Sequence, residues 1–302
     1  MRIGIIGIGD ICKKAYLPVL TARGDVELVL CTRNTKTIDD IKSRYRIKEA
    51  YTNIEDLIKS GIDAVMVHSS TESHFQICKM LLENNITVYV DKPIGYHYEE
   101  AKELYELSKK NNTKIMVGFN RRYVPKVREL KDLGNPDIII MEKNRVDLPG
   151  VPRVFVFDDF IHVVDTIRFL IGEKHTDMSV KYKKDSRGLI NVVLTLSNEN
   201  TTAFAIMNRD NGVVEETIEY MASGKKAVVT SLVKTTKYEN SKASIEEFGD
   251  WTPTLYKRGF EDIIEEFINF VKDKNYCSRY IEDALETHKI CNDIVKIIEN
   301  NK

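Results

Sequence analysis

The first 119 residues alternate between short apolar runs and segments in which apolar residues recur at helical spacing. The apolar runs predict strands at residues 2–7, 27–32, 63–68, 87–90 and 114–119. The segments between them predict helices at residues 13–23, 37–45, 54–59, 72–84 and 98–111. Near-continuous apolar strands are typical of a parallel sheet that helices cover on both faces. The alternation therefore predicts right-handed βαβ units and a doubly wound parallel sheet.

The pattern changes after residue 119 and predicts a second kind of domain. One helix is expected at about residues 160–171, after a proline- and glycine-rich stretch at 148–152. Strand-like runs joined by turn residues follow at residues 179–183, 189–196, 202–208, 215–221 and 226–231, and they predict an antiparallel meander. Two amphipathic helices, at about 255–272 and 280–299, complete the pattern. We therefore predict an α/β protein in which residues 1–119 form a Rossmann-type domain and residues 120–302 form an α+β domain.

The composition of the chain argues against several classes of protein. The chain has 302 residues, which allows two domains, and its 45 basic and 46 acidic residues leave a net charge of −1. That balance argues against nucleic-acid binding, which usually needs a strongly basic face. No apolar run approaches the ~18 residues of a membrane span, and the first residues lack the pattern of a signal peptide. The five scattered cysteines favour a reduced cytoplasm, with no disulfide framework and no metal site.

The segment Gly7-Ile8-Gly9-Asp10-Ile11-Cys12 directly follows the first predicted strand and opens the first predicted helix. Gly7 would permit a tight turn, and Gly9 would let the backbone approach a pyrophosphate held on the helix N-terminus. Cys12 occupies the third glycine position of the fingerprint, so the motif is incomplete, although a small residue still allows close packing. The segment predicts nucleotide binding, and the alternative is a plain strand–helix turn.

The second predicted strand ends at Thr32-Arg33-Asn34, about 20 residues beyond the glycines. NAD-specific domains place an acidic residue there, which bonds the ribose hydroxyls and repels a 2′-phosphate. Here Thr32 offers a hydroxyl, and Arg33 offers a guanidinium that can pair with phosphate or stack on adenine. We therefore predict that NADP is preferred to NAD, and the alternative is that Arg33 points into solvent.

Two further segments carry candidate chemistry. Lys92, in Val90-Asp91-Lys92-Pro93-Ile94, stands at the carboxyl end of a strand, where α/β sheets bind ligands. In the segment 157–165, Asp158, His162 and Asp165 share one helix stripe, opposite an apolar face that should pack on the second sheet. We expect this polar stripe to face away from the core, with Asp158 orienting the ring of His162. The alternatives are an ordinary surface lysine and an ordinary histidine.

With these motifs, and with Gly118-Phe119-Asn120-Arg121-Arg122, the chain resembles the Gfo/Idh/MocA oxidoreductases over essentially its whole length. Within that family it is most similar to the MviM-like dehydrogenases. The resemblance implies a C-terminal domain with an open antiparallel sheet, through which members often form homodimers or homotetramers. It also implies that Lys92, Asp158 and His162 are the catalytic set. Phe160 stands where the family often has glycine, and its bulk is expected to reshape the substrate pocket.

The remaining site assignments follow from the glycine turn and the resemblance. We assign cofactor binding to Gly7, Gly9, Asp10, Ile11, Thr32, Arg33, Ser69, Ser70, His74 and Lys92. Weaker candidates for substrate contacts are Asn120, Arg122, Tyr123 and Arg145. The histidines at 68, 97, 175 and 288 receive no role, and Trp251 is left open between a pocket wall and the core.

The sequence thus predicts an NAD(P)-dependent oxidoreductase that acts on CH–OH groups. It would transfer a hydride between nicotinamide and a carbinol or carbonyl carbon of a small polyhydroxylated, sugar- or polyol-like substrate. One alternative is an NAD(P)-binding sensor, which would not need Lys92, Asp158 and His162 together. Another is an NAD-dependent glycosidase of the same superfamily, which would retain its cofactor and show no net reduction.

Overall fold

The computed structural model describes residues 1–300, and these divide into two compact units. The first unit comprises Met1–Gly118 and Phe260–Glu286, and the second comprises Phe119–Gly259 and the chain from Thr287 onward. We predicted that all of residues 120–302 belong to the second domain. The segment Phe260–Glu286 instead packs with the first unit, because amphipathic spacing reveals an apolar face but not its partner. The boundary between residues 119 and 120 stays a prediction.

The first unit contains a six-stranded parallel sheet in the order β3-β2-β1-β4-β5-β6. Its strands are β1 (Arg2–Ile6), β2 (Glu27–Cys31), β3 (Glu49–Tyr51), β4 (Ala64–Val67), β5 (Thr87–Val90) and β6 (Ile115–Val117). The short strand β3 was not predicted. All four residues of β4 are buried, as expected for a strand covered on both faces.

The second unit contains an eight-stranded sheet in the order β14-β13-β12-β11-β7-β10-β9-β8. Its strands are β7 (Pro136–Asn144), β8 (Asp177–Asp185), β9 (Gly188–Ser197), β10 (Thr202–Asn208), β11 (Glu215–Ala222), β12 (Lys225–Thr230), β13 (Lys234–Glu239) and β14 (Lys242–Glu247). The predicted meander is interrupted, because β7 lies between β10 and β11 and pairs in parallel with β10. All other neighbours are antiparallel. The predicted fold class, a parallel Rossmann-type sheet followed by a mostly antiparallel one, is confirmed.

The helices in chain order are α1 (Leu17–Thr21), α2 (Thr35–Tyr45), α3 (Ile54–Lys59), α4 (Thr71–Glu83), α5 (Tyr98–Asn111), α6 (Pro125–Arg128), α7 (Pro152–Val154), α8 (Ile161–Ile171), α9 (Thr254–Lys257), α10 (Phe260–Lys272) and α11 (Arg279–Asn300). π-helical turns precede α1, at Cys12–Tyr16, and α8, at Phe155–Phe160. Short 3₁₀ helices lie at Asn120–Tyr123 and Glu129–Leu133. None of the helices within residues 1–300 is long and apolar enough to cross a membrane.

In each unit, one helix packs against the sheet. In the first unit, α10 buries Phe267 against Tyr89 of β5, with ring centroids 5.3 Å apart. In the second unit, α8 packs on β7 and β10, and its residues Val163, Val164 and Ile167 are fully buried. The apolar face of α8 thus packs on the second sheet, as the periodicity predicted.

Candidate functional site

The turn after β1 requires glycine at residue 7. Gly7 has φ +84°, a conformation that L side chains rarely adopt, and a Cβ there would lie 2.3 Å from the backbone nitrogen of Ser69. Gly9 is different, since a Cβ there would meet nothing closer than the carbonyl oxygen of His68, at 3.9 Å. Gly7 therefore brings β1 close to the loop after β4, while the backbone at Gly9 remains open. That open backbone is what the approach of a pyrophosphate needs.

The helix after this turn begins where the sequence predicted. The amide of Lys13 donates to the carbonyl of Gly9 at 3.1 Å, while Asp10 and Ile11 are exposed on the same turn. Cys12 is fully buried, and burial raises the pKa of its thiol well above the ordinary value. Cys12 is therefore a packing residue at the third glycine position of the fingerprint.

The loop after β2 is held by a helix cap. The side chain of Asn34 accepts a hydrogen bond from the amide of Thr37 at 3.1 Å, which fixes the start of α2. Thr32 is half-buried, and Arg33 is exposed. Within residues 1–300, no hydrogen bond or ion pair engages the Arg33 guanidinium. This arrangement is compatible with the predicted contact to a phosphate and also with the alternative, a side chain that points into solvent.

The strand registers bring three loops to one edge of the first sheet. Ile6 pairs with Val67, and Val67 pairs with Val90. Gly7, His68 and Asp91 follow directly after these residues, so the glycine turn and the Asp91-Lys92-Pro93 segment share the carboxyl edge of the sheet. This is the edge at which open α/β sheets bind ligands.

Asp91 lies in a buried polar network that the sequence did not reveal. Its carboxylate accepts hydrogen bonds from the Tyr16 hydroxyl at 2.6 Å and from Nδ1 of His68 at 2.7 Å. The Tyr16 and Tyr89 hydroxyls are 2.7 Å apart. Burial acts to raise the pKa of Asp91, but His68 and Tyr16 hold it below its ordinary value. His68, to which we assigned no role, is therefore a direct partner of the residue before Lys92, and Lys92 itself is half-buried.

His74 connects the loops after β4 and β5. It is only 2% exposed, with Nδ1 2.8 Å from the carbonyl oxygen of Pro93 and Nε2 3.0 Å from that of Ser69. The hydroxyl oxygen of Ser73 lies 2.8 Å from the hydroxyl oxygen of Ser69 and 2.8 Å from the carbonyl oxygen of Ser70. Both ring nitrogens of His74 thus face protein backbone, so neither is directed at a bound cofactor. The predicted cofactor contacts of Ser69 and Ser70 stay predictions.

In the second unit, the polar stripe of the helical segment 155–171 is buried, whereas we expected it to face away from the core. His162 is 7% exposed and Asp165 is 1% exposed, and Asp158 is half-buried. Arg122 forms a bidentate ion pair with Asp165, at 2.6 and 2.8 Å, and Thr287 donates to Asp165 at 3.1 Å. The expectation was wrong because paired charges can be buried where unpaired ones cannot. Arg122, a candidate for substrate contact, is engaged by this pair.

His162 lies beside a second arginine. Its Nε2 is 3.4 Å from Nη1 of Arg121, which also forms a bidentate pair with Glu216 at 3.1 Å and donates to Asn120 at 3.0 Å. A guanidinium only donates, so this contact favours the tautomer of His162 with the proton on Nδ1. A neutral histidine is the form that a general base requires.

The second acid of the Asp158-Asp159 pair also has partners that sequence reasoning missed. Asp159 contacts Lys143 at 2.5 Å, Arg145 at 3.0 and 3.1 Å, and Arg209 at 3.3 Å. We call these four residues the Asp159 cluster. Burial acts to raise the pKa of Asp159, but Lys143 and Arg145 hold it well below its ordinary range. Arg145, another candidate for substrate contact, is thus paired within this cluster.

Lys143 is the group in the Asp159 cluster that can lose its proton near neutral pH. Its side chain is 3% exposed, and burial, with Arg121 adding to the effect, lowers its pKa to about 7 from 10.5. Three cations share one carboxylate, and the two arginines cannot release a proton. The sequence does not signal the lowered pKa of Lys143, because this lysine stands among strand residues of mixed polarity.

We expect Lys143 to make folding more favourable as the pH rises from about 7 to 10. In that window the unfolded chain keeps a proton on this lysine that the folded chain has lost, so raising the pH favours the folded state. The free energy of unfolding should rise by about 2 kcal/mol between about pH 7.5 and 9.5 in the parent relative to Lys143→Met. Urea unfolding at both pH values measures this difference, with Lys181→Met, on the exposed side of β8, as the control. The same pH dependence in the parent and in Lys143→Met would contradict the assignment.

The remaining candidates are buried or exposed as follows. Asn120 is 4% exposed and donates to the carbonyl of Arg258 at 2.9 Å. Tyr123 is 7% exposed and lies 4.7 Å from the Arg128 guanidinium. Trp251 is 98% exposed, which removes the alternative that it fills the core. Within residues 1–300, no group of three or more His, Cys, Asp or Glu side chains is placed to hold a metal ion.

Comparison with known proteins agrees with this description. The Gfo/Idh/MocA family model, described as "Oxidoreductase family, NAD-binding Rossmann fold", matches residues 1–119, and "YceM-like, C-terminal domain" matches residues 125–241. The protein YceM of Salmonella typhimurium is 31% identical over 96% of this chain and 95% of its own length. The solved structure of dehydrogenase MviM from Clostridium difficile superimposes with a TM-score of 0.92 at 32% identity, covering 98% of this chain and 99% of that one.

A more distant relative carries a more specific name. Myo-inositol 2-dehydrogenase of Thermotoga maritima is 24% identical over 71% of this chain and 66% of its own length. The resemblance seen in the motifs is confirmed by the match to YceM along nearly all of both sequences. This chain therefore belongs to the Gfo/Idh/MocA family of oxidoreductases, and its residues 1–119 match the family's NAD-binding Rossmann domain.

Proposed function

We propose that the protein is a dehydrogenase acting on CH–OH groups of a small polyhydroxylated, sugar- or polyol-like substrate, with NADP preferred to NAD. The observation that carries the proposal is the shared sheet edge of the first unit. There Lys92, a residue able to hold and release a proton, follows β5 while the open turn at Gly9 follows β1. A dinucleotide and a proton-transfer group need to meet at one such edge.

The residues of the first unit fit a dinucleotide. A side chain at Gly9 would fill space that the fold leaves open, and the helix after it begins with amides that can bond phosphate. Thr32 and Arg33 follow β2, where such a fold is expected to receive the adenosine ribose, and neither is an acidic residue that would repel a 2′-phosphate. When bound, the nicotinamide accepts or supplies the hydride.

The chain's own residues handle the proton. Oxidation of a carbinol requires loss of the hydroxyl proton, and reduction of a carbonyl requires its delivery. We assign this proton transfer to Lys92 and His162, with Asp158 orienting the His162 ring. A neutral imidazole such as that of His162 can accept a proton, and Lys92 can donate one or polarise the oxygen.

Other parts of the proposal rest on the family. The myo-inositol 2-dehydrogenase relative supports a polyol as the class of substrate. Assembly into homodimers or homotetramers through the second sheet, and location in the cytoplasm, are further parts of the proposal. Five cysteines without a disulfide are compatible with such a location.

A substrate screen tests the proposed function. Purified protein is mixed with sugars and polyols plus NADP, and with keto-sugars plus NADPH, while the nicotinamide absorbance is followed. We expect at least one compound to change the absorbance, and no change with the double variant Lys92→Ala/His162→Ala. Cofactor that stays bound through purification without net reduction would point instead to a glycosidase. Cofactor binding without turnover on any compound would point to a sensor.

A further inference from the structure

Two buried histidines flank Lys92 through its neighbours in the chain. His68 is 3% exposed, and its Nδ1 lies 2.7 Å from Oδ2 of Asp91, the residue before Lys92. An ionised carboxylate only accepts, so His68 must carry its proton on Nδ1. The His68 ring also stacks on Tyr16, with centroids 4.0 Å apart, and the Tyr16 hydroxyl donates to the other carboxylate oxygen at 2.6 Å. Asp91 is thus held from two sides.

The residue after Lys92 is held by the second histidine. Nδ1 of His74 is 2.8 Å from the carbonyl oxygen of Pro93, and Nε2 is 3.0 Å from that of Ser69. Both carbonyl oxygens can only accept a hydrogen bond, so each would need a proton on the ring nitrogen that faces it. Burial lowers the pKa of His74 and so disfavours the charged form, in which both nitrogens carry a proton. We expect the shorter contact, to Pro93, to keep the proton.

These contacts restrict the backbone at Lys92. Asp91 is tied to the end of β4 and to the helix after the glycine turn, and Pro93 is tied to the first turn of α4. A group that transfers protons must be held within a few tenths of an ångström of its working position, and such precision comes from the residues behind it. His68 supplies that support through the residue before Lys92, and His74 supplies it through the residue after Lys92.

We propose that His68 and His74 are positioning residues for Lys92, holding Asp91 and Pro93 through their Nδ1–H groups. The proposal rests on the proposed function of Lys92, but its geometry belongs to the first unit alone. It differs from our prediction for His74, which assigned it to the cofactor, and gives a role to His68, which had none.

Paired substitutions separate positioning from simple packing. Asparagine places an amide donor near the position of Nδ1, whereas glutamine places it near the position of Nε2. His68→Asn and His74→Asn should therefore keep the bonds to Asp91 and Pro93, and His68→Gln and His74→Gln should lose them. Each pair removes the same imidazole ring, so a packing defect alone would affect both members equally.

Covalent labelling of Lys92 reads the positioning without a known substrate. Each variant is treated with a limiting amount of acetic anhydride across a pH series, and acetylation of the peptide containing Lys92 is quantified by mass spectrometry. Exposed Lys102, on α5, is the internal reference. We expect the Gln variants to change the labelling rate of Lys92 by about fivefold, because the loss of one hydrogen bond costs about 1 kcal/mol. The Asn variants should match the parent, and the Lys102 rate should not change.

Two further measurements keep the proposal open to refutation. Tyr16→Phe removes one hydroxyl from Asp91 and keeps the ring, so it should fold and shift Lys92 labelling in the same direction. The dissociation constant of NADPH should be unchanged in the Asn variants, whereas a direct cofactor contact of His74 would weaken it in both His74 variants. Parent-like labelling of Lys92 in Tyr16→Phe and in every folded histidine variant would overturn the proposal. Absence of turnover in the parent would refute the proposed function and leave the labelling result intact.

Discussion

Replacing Lys92 or His162 by alanine is expected to lower turnover on a confirmed substrate by about 10²–10⁴-fold, the usual effect of losing a general acid or base. One group must lie within hydrogen-bond reach of the oxygen that gains or loses the proton, and these two residues are our candidates. Turnover is followed by nicotinamide absorbance at saturating cofactor, and single-turnover rates separate the chemical step from product release.

The controls for this prediction come from the same chain. Lys102→Ala removes an exposed lysine of α5 and should leave turnover unchanged. The dissociation constant of NADPH should change little in His162→Ala, because all the residues that we assign to the cofactor lie in the first unit and His162 lies in the second. Near-normal turnover in both Lys92→Ala and His162→Ala would show that the assignment is wrong.

Arg33→Ala is expected to lower the preference for NADPH over NADH by about 10–100-fold, since a charge-assisted hydrogen bond is worth about 1.5–3 kcal/mol. Arg33 is exposed in the loop that the Asn34 cap fixes, so its removal should leave the fold intact. The measurement compares dissociation constants of NADPH and NADH for the parent and the variant.

Two variants sharpen the test of cofactor preference. Thr32→Asp should shift the preference toward NADH, because a new carboxylate would repel the 2′-phosphate. Arg44→Ala, which removes another exposed arginine from the last turn of α2, should have no effect. The proposal fails if the parent binds both cofactors equally, or if Arg33→Ala keeps the preference of the parent.

Local patterns were sufficient to predict five of the six strands of the first sheet and its glycine turn. The tight turn predicted at Gly7 is seen as a positive φ, because the need for glycine arises from the few residues around it. The apolar face of α8 was predicted for a similar reason, since helical spacing alone determines which residues share a face. The motif around Lys92 and the segment 157–165 also led to the correct family.

The partners of the polar groups could not be predicted in the same way. Helical spacing placed Asp165 on the stripe opposite the apolar face, but Arg122, which neutralises it, lies 43 positions away in the chain. The bond between His68 and Asp91 depends on the register of β4 and β5, which a single sequence does not specify. The sequence predicted a parallel sheet but not which of its strands are neighbours. The lowered pKa of Lys143 depends on its burial and on Arg121, and both are known only from the three-dimensional structure.

The first unit is built from two separate stretches of the chain, and this affects how the protein is made. Lys114, directly before β6, donates to the carbonyls of Phe270 and Asp273, and Tyr16 contacts the ring of Phe260. A ribosome has therefore to synthesise every strand of the second sheet before the Rossmann unit receives its last helices. Until then the rings of Tyr16 and Tyr89 lack their partners on α10. A fragment that ends at residue 119 would carry the nucleotide motif on an incomplete core, so the motif and the autonomous folding unit do not coincide.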